Sequence, residues 1–409
     1  MKRFFLAATL SLAAVAACIA APAEIHMFIA SPEYADAIGQ LIAEYKKVAP
    51  NVTINYETTQ SDYPTLLKAR LNSGNPPDIF SSTSGKEIKV YLEYSQNLAD
   101  QSLAAAMTDP VKAVMMNGKE VHGLAIKGNY FGIVYNKAIF EKVGIKEFPQ
   151  TYGALVDACK KISAAGYKPF TDGFAEWWVY KHVFQHFLNA AQPKDVAGLV
   201  AAFSSGEAHF KSYPALYNDF FRFVDLVVKN GDQKPLESTI STEIAALGSG
   251  KVAMVVGQGA WIEADTLKID PSIKIGFDGY PVNGDPKSTK VIAGADQAIR
   301  IYKGSPVLKE TLAFVNWWYT SDYGKSWFTK VAGVIPPVKG AIAPNFEVIK
   351  QGDKITAAKG AGTLGIVYAT DSFWQAFGEI MQGYVAGTTT KDAAISQIEK
   401  KWVELEGGK

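Results

Sequence analysis

The chain has 409 residues, 48% of them apolar and 20% charged, with a formal net charge of +1. That length and composition can fill more than one hydrophobic core, and so balanced a charge does not suit nucleic acid or an anionic membrane surface. Of the two cysteines only Cys159 lies beyond the N-terminal segment, so no intrachain disulfide is expected.

Residues 1–23 read as an export signal: Met1-Lys2-Arg3, an apolar run from Phe4 to Ala17, and the small-residue site Ala21-Pro22-Ala23. Its loss removes two basic residues and no acidic one, leaving a slight acidic excess. A second reading takes Val15-Ala16-Ala17-Cys18 as a lipobox, with Cys18 lipidated and the chain anchored to a membrane as the consequence. No later stretch is long and apolar enough to span a bilayer.

Ile25–Ala30 then reads as a buried strand. Ile38, Leu41, Ile42, Tyr45 and Val48 recur at helical spacing until Pro50-Asn51 stops the helix. Residues 52–58 alternate as a second strand, a helix follows over Tyr63–Leu71, and a Gly/Pro turn leads into a short strand at Asp78–Phe80. This β-α-β-α-β opening predicts an α/β fold with a largely parallel sheet, whose ligands sit beyond the carboxyl ends of the strands. The middle of the chain is mostly helical, with helices predicted at Tyr152–Ala165, Trp177–Ala190, Tyr217–Lys229 and Thr242–Leu247 and a strand at Val252–Gly257. A single strand is predicted over Val291–Ile301, then helices at Val307–Thr320, Phe373–Gly383 and Thr390–Leu405. No repeat or low-complexity linker separates the parts, so the chain is expected to cross between two lobes several times.

Catalytic signatures are scarce. There is no GxSxG elbow, no phosphate loop and no GxGxxG after the first strand. His182 and His186 stand four apart, but Val183 occupies the place where a zinc protease needs Glu, so the pair is read as a solvated helix face. No metal and no cofactor are expected. Aromatic residues, by contrast, make up 12% of the chain and include eight tryptophans. Trp177, Trp178, Trp261 and Trp374 stand at helix starts beside polar residues, where an indole face can cover the C–H patch of a sugar while carboxylates and amides take its hydroxyls. Trp317, Trp318 and Trp327 lie in apolar helical patterns and read as core.

Several stretches resemble, in order, the bacterial extracellular solute-binding proteins of the carbohydrate-binding family 1, relatives of maltose-binding protein. They are "GNPPDIF" (74–80), "VHGLAIKGNYFGIVYNKAIFEKVGI" (121–145), "FPQTYGALVDACKKISAAGYKPF" (148–170), "GKVAMVVGQGAW" (250–261) and "GVIPP" (333–337). The resemblance implies a two-lobed periplasmic-binding-protein fold, each lobe a mostly parallel sheet flanked by helices with the ligand between them. It places 24–128 plus 291–335 in the N-terminal lobe and 129–290 plus 336–409 in the C-terminal lobe. It also implies a monomer that is not an enzyme, captures a sugar by hinge closure and hands it to the membrane permease of an ABC importer.

Carried over by position, the resemblance puts Glu33 and Tyr34 in the loop after the first strand. Ser82 and Thr83 supply hydroxyls where the family often has an aromatic or acid, which departs from a maltose-like contact set. Asn129 and Tyr130 precede the "VYNK" strand end. Glu176 and Trp178 form an acid-plus-aromatic wall, with Trp177 packing into the core. Gln258 and Trp261 fall at the family's aromatic turn, Asp296 in a crossing strand and Trp374 in "SFW". Trp178, Trp261 and Trp374 would form the stacking set and Glu33, Ser82 and Asp296 the facing polar set. Two other ligand classes stay open at this point: a polyamine or other cation held by Glu33, Glu176 and Asp296, and, from a different class, the substrate of an exported glycoside hydrolase with paired carboxylates.

Overall fold

The computed structural model describes residues 22–408; residues 1–21 of the export segment, with the lipobox cysteine Cys18, lie outside the described residues. The α/β alternation seen in the sequence builds a two-lobed molecule with one principal sheet in each lobe.

In the first sheet the strands Ala23–Ile29, Val52–Thr58 and Ile79–Thr83 run parallel, and Gln297–Ile301 closes the edge antiparallel to Ile79–Thr83. The first strand is central, which explains its run of apolar residues: Ile25, Met27 and Ile29 are all buried. Helices Ala35–Val48 and Tyr63–Asn72 make the crossovers between these parallel strands. Helices Leu308–Thr320 and Asp322–Lys330 complete this lobe, where Trp327 donates its indole N–H to the Ala37 carbonyl at 2.7 Å and Trp318 is fully buried.

The second sheet has five strands. Asn129–Asn136 runs against Val252–Gly259, Ile275–Asp278 and Ile292–Gly294, while Lys168–Thr171 runs parallel to Val252–Gly259. Four strands therefore share one direction and one is reversed. Helix Trp177–Ala191 packs on strand Val252–Gly259 on one side and on helix Asp371–Val385 on the other. Because it is covered on both sides, Trp177 through Leu188 are buried without interruption. His182 and His186 therefore do not lie on a solvated face, contrary to the spacing-based expectation.

The stretch expected as one strand over 291–301 is two. Ile292–Gly294 pairs with the second sheet and Gln297–Ile301 with the first, so Ala295 and Asp296 are the step between lobes. A second crossing runs through residues 124–129: Leu124 bridges to Ile299, Gly128 to Ile335, and Asn129 opens the reversed strand.

Under the first sheet lies a buried cation. Arg300, fully buried, donates to Ser82 Oγ (2.9 Å), Ser95 Oγ (2.7 Å) and the Glu87 carbonyl (2.9 Å). Three acceptors would lose their donor together if the guanidinium were removed. Arg300→Met is expected to lower the unfolding free energy by about 3 kcal/mol, read as a lower urea midpoint.

Candidate functional site

A cavity of about 110 Å³ opens between the two sheets, beyond the carboxyl ends of the first-lobe strands. Residues following those strands reach it: Ala30 and Glu33 after the first, Gln60 after the second, and Ser81, Ser82 and Thr83 at the end of the third. From the second lobe come Asn129, Trp177, Trp178, Lys181, His182 and Trp261, with Lys127, Asp296 and Gln297 from the crossings.

The aromatic wall is a property of chain ends. Glu176 holds the N-cap position of helix Trp177–Ala191, so Trp177 and Trp178 occupy its first turn and project past its end. Trp261 sits in the short turn that follows strand Val252–Gly259. One helical turn beyond Trp178, the His182 ring lies 5.1 Å from Trp178, 5.7 Å from Trp261 and 5.0 Å from Phe131, measured between ring centroids.

His182 is a neutral imidazole. Burial first, then the Lys181 charge, pushes its pKa down to about 3. Its Nδ1 faces the Gly257 carbonyl at 2.9 Å. In a neutral ring that nitrogen must carry the proton to donate there, which leaves Nε2 as an acceptor. His186, one turn further on, is also pushed down to about 3 by burial.

Two lysines supply the positive charge. Lys127 Nζ donates to Glu33 Oε1 at 3.2 Å and stands 4.9 Å from the Tyr34 ring centre and 5.2 Å from that of Trp261. Burial opposes this charge, but Tyr34, Glu33 and Asp296 outweigh it and hold the pKa above its ordinary value. Lys181 lies 3.5 Å from Asp371 Oδ1 and 5.1 Å from the Trp177 ring centre.

Polar groups with unused capacity point the other way, towards acceptors. Asn129 is 3% exposed; its Nδ2 donates to Asp296 Oδ1 at 3.3 Å, while its Oδ1 has no partner. Gln60 Oε1 is buried and unpartnered as well. Gln297 is fully used, donating to the Ala30 carbonyl (2.9 Å) and accepting from Ser31 Oγ (3.0 Å).

The lobes also bond directly to each other. Glu176 Oε2 accepts from Ser61 Oγ and from the Trp178 indole (3.2 Å), and the Trp177 indole donates to the Ser61 carbonyl (3.1 Å). Asp371 accepts from the backbone and hydroxyl of Thr83, the former at 3.1 Å, and Lys68 reaches Ser372 Oγ at 2.7 Å.

Of the twelve positions named from the sequence, Glu33, Ser82, Thr83, Asn129, Trp178, Trp261 and Asp296 line the cavity. The other five do not. Tyr34 is buried behind Glu33 under the Lys127 ammonium. Tyr130 follows Asn129 in an extended strand and so faces the opposite side, where its hydroxyl donates to Asp353 at 2.6 Å. Glu176 stands beside the cavity with its carboxylate taken by Ser61 and Trp178. Gln258 remains inside the ladder opposite Gly132, because the strand continues to Gly259; its side chain is fully buried against Glu243. Trp374 is fully buried, donates to the Ile366 carbonyl at 2.8 Å and packs on Phe184, Phe377 and Trp402.

Trp177, expected in the core, lines the cavity beside Trp178. Lys127, Lys181, His182, Gln60, Gln297 and Asp371 also line the cavity but were not named as ligand-binding residues. Lys181 and His182 had a legible signal, since both follow Trp178 by one helical turn. Asp371 lies in the same "TDSFW" stretch as Trp374, and it is the helix-start acid rather than the indole that reaches the cleft.

Comparison with known proteins gives the family. The family profile described as bacterial extracellular solute-binding protein matches residues 31–325. The chain belongs to that family. Among its relatives, the multiple sugar-binding protein of Streptococcus mutans is 23% identical over 77% of this chain and 75% of its own length. The melibiose/raffinose/stachyose-binding protein MelE of Bacillus subtilis is 20% identical over 71% of this chain and 68% of its own. The solved structure of the solute-binding protein RafE in complex with raffinose superposes with a TM-score of 0.80 at 19% identity, covering 94% of this chain and all of that one. The family is one of binding proteins for transport, not of enzymes.

For this solute-binding protein the buried imidazoles have a consequence for stability. The unfolded chain protonates them near the ordinary value of 6.5, whereas the native state does so only near 3. Between those values the unfolded state binds the extra protons, so this contribution is fully present above pH 6.5 and is lost on acidification towards 3. The unfolding free energy is expected to fall between pH 6.5 and 4. Replacing both residues, His182→Gln with His186→Gln, should make that decline shallower in urea titrations at each pH.

Proposed function

We propose that this protein is an exported, monomeric receptor that captures a neutral carbohydrate between its lobes and delivers it to an ABC importer. One observation carries the reading: three indoles, Trp177, Trp178 and Trp261, meet unpartnered acceptors, Asn129 Oδ1 and Gln60 Oε1, around a single cavity. Such a site asks for a ligand with flat apolar patches and outward O–H donors, which describes a sugar ring. The sugar names of its relatives support the same class.

Charge placement favours a neutral solute over a cation. Lys127 and Lys181 each stand over one face of Trp261 and Trp177, leaving the other face for an uncharged ring, while their positive charges repel a polyamine from the same cavity. Carboxylates alone do not make a glycosidase here, because Glu33 and Asp371 are each engaged by lysine.

In this reading residues 24–128 with 295–342 move as one lobe and 129–294 with 343–408 as the other, pivoting at the crossings near 128, 295 and 343. The division expected at 335 shifts because Val338 and Lys339 pair with Met107 and Ala106 of the first lobe. The division expected at 291 shifts because Ile292–Gly294 pairs with the second sheet. Closure brings Glu33, Ser82 and Asp296 onto hydroxyls of a sugar stacked on the indoles, and each hydroxyl left unpaired would cost about 1–3 kcal/mol. Residues 1–23 would direct export and be removed after Ala23; in the alternative lipobox reading, cleavage falls before Cys18, which would carry a lipid anchor.

A sugar panel that records both melting temperature and product formation tests this. Stabilisation without turnover is expected; turnover without stabilisation would sink the receptor reading. Trp178→Ala and Trp261→Ala should each weaken binding at least tenfold by calorimetry. Trp374→Ala should instead lower stability by about 3–5 kcal/mol and leave the affinity of the folded fraction within about twofold, as befits a core residue.

A further inference from the structure

An irregularity in the second sheet fixes what His182 can offer to a ligand. Strand Val252–Gly259 slips register against Asn129–Asn136 between Gly132 and Val134, and Gly257 falls in that slip with no Cα partner in either neighbouring strand. Its φ of +73° and the Val179 side chain, which a Cβ would run into, both favour glycine here. The Gly257 carbonyl is met by His182 Nδ1 at 2.9 Å. A carbonyl only accepts, so Nδ1 carries the proton of the neutral ring and Nε2 bears the lone pair. Burial first, and then the Lys181 charge, opposes a second proton.

That lone pair is free. Nε2 of His186 is sealed from solvent without a partner. Nε2 of His182 also lacks a partner among the described residues, yet it is not one of the sealed atoms, and its ring forms part of the cavity wall. We propose, resting on the carbohydrate reading, that His182 is a specificity-determining residue whose Nε2 accepts a hydrogen bond from one hydroxyl of the bound sugar. The ring stands 5.1 Å from Trp178 and 5.7 Å from Trp261, so a sugar laid on either indole brings its rim of hydroxyls towards it. A free amide can swap oxygen for nitrogen by a half-turn, but this imidazole is held by its Gly257 bond and offers a lone pair only. A hydroxyl satisfies it. A deoxy carbon or a fluorine does not, and the lone pair is then left unpaired when the cleft closes.

Calorimetry with the purified protein tests this. Glucose, galactose, xylose, N-acetylglucosamine, melibiose and raffinose are compared, and the tightest binder is titrated again as its monodeoxy and monodeoxyfluoro derivatives. At one ring position both replacements should weaken binding at least tenfold, since fluorine accepts but cannot donate. In His182→Asn, whose amide can still donate to the Gly257 carbonyl, the loss at that position should shrink to under threefold while losses elsewhere persist. If no position shows the paired loss, or fluorine restores the affinity wherever the deoxy sugar loses it, the inference is overturned on the wild-type protein alone. It is also overturned if His182→Asn weakens every derivative by the same factor, as a purely structural role predicts. All of these results leave the carbohydrate reading intact. Silence from every sugar overturns that reading, and the role of His182 with it.

Discussion

A single buried ammonium ties the two halves of the site together. Lys127 stands at the crossing between lobes and is only 9% exposed, so its charge has to be met by the protein. It is met by the Glu33 carboxylate from the loop after the first strand, and by the faces of Tyr34 and Trp261. The first two come from the first lobe and the third from the second. The lysine thereby sets where Glu33 points, explains why Tyr34 is covered, and presents Trp261 to the cavity with one face already used. Asp296, from the other crossing, adds its negative charge to the same group.

The eight tryptophans divide according to the elements that carry them rather than by their neighbours in sequence. Of those inside helices, Trp318 and Trp327 in the first lobe and Trp374 and Trp402 in the second find a core, while Trp317, expected as core, is only half-buried, between the rings of Tyr45 and Tyr323. Those at the first turn of a helix, or in the turn after a strand, project beyond their element and meet the cleft, as Trp177, Trp178 and Trp261 do. Trp374 shows how small the difference is. It stands only three residues into its helix, yet that is far enough to be covered by Trp402 and Phe184, and the exposed end is left to Asp371.

The lobe-to-lobe contacts serve a second purpose besides shaping the cavity. Asp371 takes Thr83 and sits beside Lys181, while its own backbone N–H donates to the Glu87 carboxylate at 3.0 Å. Burial, then the charge of Asp371, pushes Glu87 up to about 8, so the pair avoids holding two full charges at neutral pH. Such satisfied polar groups between lobes can be traded for ligand or solvent without stranding a charge, which a dry apolar interface between them would not permit.

The sequence by itself determined the local periodicities and what depends on them: the opening β-α-β-α-β run, most of the long helices, and the absence of catalytic signatures. It also placed the loops that follow the strands. These are consequences of spacing and of turn residues, which act over a few positions. Glu33, Ser82, Thr83, Asn129, Trp178, Trp261 and Asp296 came forward through the resemblance of ordered stretches to a known family, and their gathering at one cavity is a fact of the fold. Tertiary structure decided everything that turns on which face is covered. His182 and His186 have the spacing of an exposed pair but are enclosed between a strand and a helix from far along the chain. Residues 291–301 read as one strand, but their hydrogen-bond partners belong to two sheets. Trp177 and Trp374 exchanged roles because a side chain's burial depends on elements up to about two hundred residues away, and no local pattern records where those elements will pack.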